Sequence, residues 1–146
     1  MKTFPSILIA CVCAPALAQP APADDQFIGR WKSDNPASAT PDALLTIEGA
    51  AFTWRPNAKA PPQCRGTFAR QNEKPGTVYL DAHGRKFVAG AIGSFPTYLL
   101  KVDPGTCGGA DGWRISFPVP YDRRHMELTE YVGGRPTGYR KMQKVD

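Results

Sequence analysis

Hydrophobic and polar positions in this chain alternate in short runs and hardly anywhere recur at helical spacing. The pattern predicts strands at 27–33, 44–48, 51–55, 64–71, 76–81, 86–92, 96–102, 112–117, 125–131 and 137–143, eight to ten in all. Gly, Pro, Asn and Asp fill the gaps. Several joints read as hairpins: Glu48-Gly49, His83-Gly84 and Gly133-Gly134, where glycine supplies the positive φ of a tight turn. Alternation is cleanest late in the chain. Trp113, Ile115 and Phe117 share one face and Arg114 and Ser116 the other, while Met126 and Leu128 alternate with Glu127 and Thr129. One face is therefore dry and one wet. Tyr98, Leu100 and Val102 group together, as do Val78 and Leu80, supplying side chains for one interior. Consecutive hairpins without crossover helices predict an all-β, antiparallel up-and-down barrel, because closure removes the exposed edges of a flat sheet. A two-sheet β-sandwich is the alternative arrangement of the same strands.

The N-terminus adds an address. Lys2, an apolar stretch from Ser6 to Leu17 and the small-x-small ending Ala16-Leu17-Ala18 form a secretory signal over residues 1–18. That stretch is too short to span a bilayer, and no later segment reaches the roughly 20 apolar residues a span needs. Residues 19–26, rich in Pro and Ala, read as a flexible leader, and 27–146 as a single domain. The expected location is outside the cytoplasm, in the periplasm. Leu8-Ile9-Ala10-Cys11 also has the form of a lipobox, which would place a lipid on Cys11. Cys11 and Cys13 leave with the signal. Cys64 and Cys107 remain as an even pair in an exported chain, so a disulfide between them is expected, worth about 4 kcal/mol in the chain-entropy account.

Charge and chemistry narrow the function. The formal net charge is +5, and the basic residues are scattered over the chain, which predicts a solvated basic surface. No nucleic-acid-binding signature is present. His83 and His125 are the only imidazoles, and with two oxidised cysteines they supply no zinc-ligand spacing. There is no Gly-x-Ser-x-Gly elbow and no phosphate-cradling loop. Glu48, Glu73, Asp81, Glu127 and Glu130 are dispersed. The expectation is a non-enzymatic protein without metal or cofactor.

Two segments carry a family resemblance: Phe27-Ile28-Gly29-Arg30-Trp31 at the start of the domain, and Thr137-Gly138-Tyr139-Arg140-Lys141 near its end. They resemble the lipocalin and wider calycin pattern, in which Gly-x-Trp on the first strand is closed over by an Arg or Lys from the last. The resemblance covers about a dozen residues. It implies a closed barrel with Gly29, Trp31 and Arg140 as the closing signature, and a small apolar or amphipathic ligand held inside. The physical logic stands without the family name: an indole plugs the base, and a guanidinium stacks on it. Among the surplus aromatics, Trp54, Tyr98 and Trp113 are the expected ligand-lining side chains. This hypothesis requires an internal cavity; a solid interior excludes it. The alternative is a protein-interaction module, an inhibitor or immunity protein for instance, whose partner is another envelope protein. It would use loops 56–63 and 103–111 beside the disulfide. The segment Ser94-Phe95-Pro96-Thr97-Tyr98 and the loop Gly105-Thr106-Cys107-Gly108-Gly109 are the first places to look for a recognition surface.

Overall fold

The structure is a computed structural model that describes residues 25–34, 43–55, 63–89, 97–118 and 122–145. Its strands are β1 (Gly29–Ser33), β2 (Leu44–Glu48), β3 (Ala51–Arg55), β4 (Cys64–Gln71), β5 (Val78–Leu80), β6 (Lys86–Val88), β7 (Thr97–Asp103), β8 (Gly112–Ser116), β9 (His125–Val132) and β10 (Arg135–Val145). Eight of them close into an antiparallel barrel in the order β1-β10-β9-β8-β7-β4-β3-β2. Neighbours in the ring are neighbours in sequence, apart from the β4–β7 step and the closing pair. That closing pair is formed: β1 lies against β10, with Trp31 opposite Lys144 and Ser33 opposite Met142. The barrel, not the sandwich, is the arrangement found.

Local chemistry explains the joints. β9 and β10 meet at Gly133-Gly134, whose φ values of 57° and 77° fit the paired positive-φ positions of a two-residue hairpin turn. The register of β10 then shifts between Pro136 and Gly138. A proline has no N–H to give to a ladder, so it is tolerated at such a bulge.

The inward positions sort by depth. At the base, Phe27 packs edge-on against Tyr98 and Phe68 with ring centroids 4.8 and 5.8 Å away. Phe117 joins them, 6.4 Å from Trp31 and 6.2 Å from Tyr98. The Trp31 indole is fully buried and donates its N–H to the Phe27 carbonyl at 2.8 Å, so this plug leaves no polar atom unpaired. Burying an indole contributes roughly 4–6 kcal/mol. Above it, Leu45, Leu100, Ile115, Leu128 and Met142 have no exposed surface at all.

β5 and β6 stand outside the ring as a two-stranded hairpin. Each has three residues, too few to cross a barrel wall. The hairpin straps across the outer face of β8, β9 and β10. Glu73, just before it, grips Arg114 of β8 through two hydrogen bonds of 2.8 and 2.5 Å. The Arg114 guanidinium also lies 3.5 Å from the Tyr79 ring centroid. Tyr131 of β9 donates its hydroxyl to the Leu80 carbonyl at 2.6 Å, and His83 meets the Tyr139 ring of β10 at 5.0 Å. Two expectations are corrected here. Arg114 is on the outer face but is not wet, being 5% exposed beneath the strap. Val78 and Leu80 do not fill the interior; they are 60% and 41% exposed on the outward side of the hairpin.

Candidate functional site

The end of the barrel opposite the Phe27 plug is built from the C-terminal half of β3, the start of β4 and the loop after β7. On β3, Phe52 and Trp54 sit opposite the buried Ile47 and Leu45, which sets both aromatic rings inward. Their partners on β4 are Gly66 and Cys64. A Cβ on Gly66 would collide with the Phe52 ring and come within 2.7 Å of the Asp103 carbonyl, so only glycine lets that ring lie down. Phe52 then packs on Trp113 of β8 with centroids 4.3 Å apart.

The loop after β7 is pinned over this end. Cys107 is disulfide-bonded to Cys64, with Cα atoms 4.8 Å apart. The Thr106 N–H donates to the Arg65 carbonyl at 3.0 Å, and the Arg65 N–H donates back to the Thr106 hydroxyl at 2.9 Å. Between loop and strands lies a half-open cleft of about 680 Å³, lined by Phe52, Trp54, Val102 and Trp113 below and by the disulfide at one side.

Charge enters from β9 and β10. Glu130 is opposite Trp113 and Arg140 is opposite Leu128, so both stand at inward positions of the barrel wall. The Arg140 guanidinium lies 5.0 Å over the Trp54 ring, and its Nε is 3.9 Å from a Glu130 oxygen. Gly138, opposite Glu130, gives that carboxylate its space, since a Cβ there would strike it. Arg55, the last residue of β3, completes the lining. Five buried side-chain polar atoms among the described residues have no hydrogen-bond partner, and three of them belong to residues of this lining, although the atoms themselves have almost no accessible surface: Nε of Arg55, Nε of Arg140 and Nε1 of Trp113. All three are donors.

The residues singled out in the sequence are thus distributed unevenly. Cys64 and Cys107 are bonded, and Trp54 and Trp113 both line the cleft. Tyr98 does not; it belongs to the aromatic base. The cation over Trp31 is Lys144, its cross-strand neighbour, with Nζ 5.4 Å from the ring centroid. Arg140, expected there, covers Trp54 instead. Gly29 makes room for the lysine stem, because a Cβ at that position would sit 3.2 Å from Lys144 Cε. The open space described here lies at the mouth, above the buried layer of Leu45, Leu100, Ile115, Leu128 and Met142. Residues 1–24, including the signal, Cys11 and most of the leader, lie outside the described residues, as do 94–96 and 56–62. Asp25, from the end of the expected leader, is paired with Arg70 at 2.8 Å.

A second, smaller space of about 360 Å³ lies beside His125, Asp34, Glu127 and Lys141. His125 Nδ1 contacts Asp122 Oδ2 at 2.5 Å there. Among the described residues no cysteine, serine or threonine lines it.

The charged members of the mouth, Arg55, Glu130 and Arg140, are not a ligand site that sequence reasoning singles out. A signal for two of them exists: Glu130 follows Met126 and Leu128 in the inward phase of its strand, and Arg140 precedes Met142 in the same phase. A charge at an apolar-phase position marks an opening in the core. The chain matches no protein family, no curated protein and no solved structure. Among the described residues, no helix is long and apolar enough to cross a membrane.

Proposed function

We propose that this protein is an exported, non-enzymatic binding module of lipocalin-like build that holds a small amphipathic ligand in its mouth cleft. One observation carries the reading: a cleft of about 680 Å³ whose aromatic floor is fixed in place by a disulfide and by strand register. That volume is within the range of small-molecule sites, roughly 300–1,000 Å³, and the lining mixes polar and apolar surface in near-equal parts. The lipocalin-like reading is supported by strands following one another round a closed ring and by Gly29-x-Trp31 on the first of them, capped by a cation of the last. Export is supported by the signal-like N-terminus and agrees with a disulfide.

The test is a titration of the oxidised protein with octan-1-ol, followed by tryptophan fluorescence. The chain has three tryptophans, and two of them line the cleft. A saturable change with one-site stoichiometry is expected, abolished by filling the cleft with Gly108→Trp. The reading fails if neither octan-1-ol nor its charged congeners give a saturable response.

A second reading, recognition of another envelope protein, draws support from the outward face of the hairpin, where Val78, Leu80 and Val88 are 60%, 41% and 46% exposed. It predicts that Val78→Lys with Val88→Lys abolishes capture of a partner from a periplasmic extract and leaves octan-1-ol binding intact.

A further inference from the structure

Resting on the cleft being a binding site, we infer that its ligand is a monoanion. It is an amphipathic carboxylate whose head meets the Arg55 guanidinium and whose apolar part lies on Trp54, Phe52 and Trp113. The charged side chains among the described lining are Arg55, Arg140 and Glu130. Glu130 is within ion-pair range of Arg140, so these two largely cancel. No carboxylate among the described residues is in ion-pair range of Arg55, which leaves one uncompensated positive charge among the described residues of the lining.

A neutral alcohol leaves the guanidinium without a counter-charge. An ammonium adds a cation to a site already carrying a net positive charge. A carboxylate matches the planar fork of a guanidinium and supplies two acceptor oxygens. A single excess charge suits a monoanion better than a phosphate dianion.

Arg140 is a positioning residue in this scheme. Its guanidinium is held over Trp54 and turned toward Glu130, so it fixes the ring on which the apolar part rests. The carboxylate of Glu130 opposes an incoming anion, which gives the site a residue whose neutralisation should tighten binding.

The experiment compares octanoate, octan-1-ol and octylammonium by calorimetry on the oxidised protein at neutral pH and low salt. Octanoate is expected to bind about tenfold or more tighter than octan-1-ol, and octylammonium more weakly than either. Added salt should weaken octanoate binding and leave octan-1-ol unaffected. In Arg55→Gln the octanoate affinity should fall about tenfold or more, to the octan-1-ol affinity measured on the same variant; in Glu130→Gln the preference for octanoate should grow. Equal affinity for octanoate and octan-1-ol would overturn the inference and leave the binding module standing, as would an octanoate preference that survives in Arg55→Gln. Silence from all three compounds would remove the binding module itself. Should Arg55→Gln fold poorly, the salt series on the unaltered protein decides the question without any variant: octanoate binding that is indifferent to salt overturns the inference.

Discussion

Replacing Glu73 by Ala tests how the strap is held. Arg114 is 5% exposed and Glu73 13%, so each charge has lost most of its water and relies on the other. Removing one partner of such a buried pair costs about 3–5 kcal/mol, because the remaining charge is left uncompensated. The full cost need not appear in global stability. The hairpin touches the barrel through Tyr79, Leu80 and His83 besides Glu73, and it can lift away and let water reach Arg114. Global unfolding free energy in urea should then fall by only about 2 kcal/mol, less than the pair's nominal value, since the hairpin's docking contacts cap the loss. Hydrogen exchange should show the remainder: backbone amides of β5 and β6 lose their protection, while those of β1 and β10 keep theirs. The double variant Glu73→Ala with Arg114→Met should recover most of the loss, because it removes the stranded charge as well. If Glu73→Ala left both the urea midpoint and hairpin exchange unchanged, or if the double variant were less stable than the single one, the strap would not be held by this pair.

Three further outcomes follow from the geometry. Reducing Cys64–Cys107, or replacing both by Ser, opens a covalent link across 43 residues and should cost up to about 4 kcal/mol in denaturant unfolding, with octan-1-ol binding weakened because the loop over the cleft is freed. Gly66→Ala should destabilise by about 1–3 kcal/mol and shift Trp113 emission, because the added methyl displaces the Phe52 ring packed on that indole. The Tyr139 phenol is held well above its ordinary value by burial and then by the Glu127 carboxylate, and burial raises Tyr79 and Tyr131 as well. A raised folded value means that their contribution to stability is whole below the unfolded phenol value of about 10 and is lost as pH climbs toward the folded one. Thermal midpoints measured between neutrality and strong alkali should therefore decline beyond pH about 10, with a shallower decline in Tyr139→Phe.

The strands are legible in the sequence because each buries one face, which prints a two-residue period on the chain: Trp113 and Ile115, Met126 and Leu128, Leu45 and Ile47 are all inward and all buried. The disulfide is legible from cysteine arithmetic. What is not legible is non-local. Arg114 alternates correctly with its apolar neighbours, and nothing nearby in sequence announces that Glu73 and Tyr79 will cover it. Val78 and Leu80 have strand composition, but three-residue strands cannot join an eight-stranded wall. Periodicity ends the last strand at 143 and so gives the latch over Trp31 to Arg140, whereas β10 runs to Val145 and brings Lys144 opposite the indole. The register of that pair depends on where β10 starts and on its bulge, which periodicity alone does not fix. The aromatics of the cleft are visible as Trp54 and Trp113; Tyr98 has the same character and a different depth. Its place at the base follows from the tilt of the strands, which carries one hydrogen-bonded row from Arg140 through Leu128 and Ile115 to Tyr98.

Base and mouth therefore divide the work. The base, with Phe27, Trp31 and Phe117 packed under Lys144, closes and stabilises the barrel. The mouth trades packing for open space, placed charges and a covalently held loop. The most direct test of that division is the indole N–H region of the protein's nitrogen–proton NMR spectrum during an octanoate titration. Shifts confined to the Trp54 and Trp113 signals, with Trp31 unmoved, are the predicted result. A Trp31 signal that moves while those two stay still, or three indoles that never move at saturating octanoate, would contradict the account.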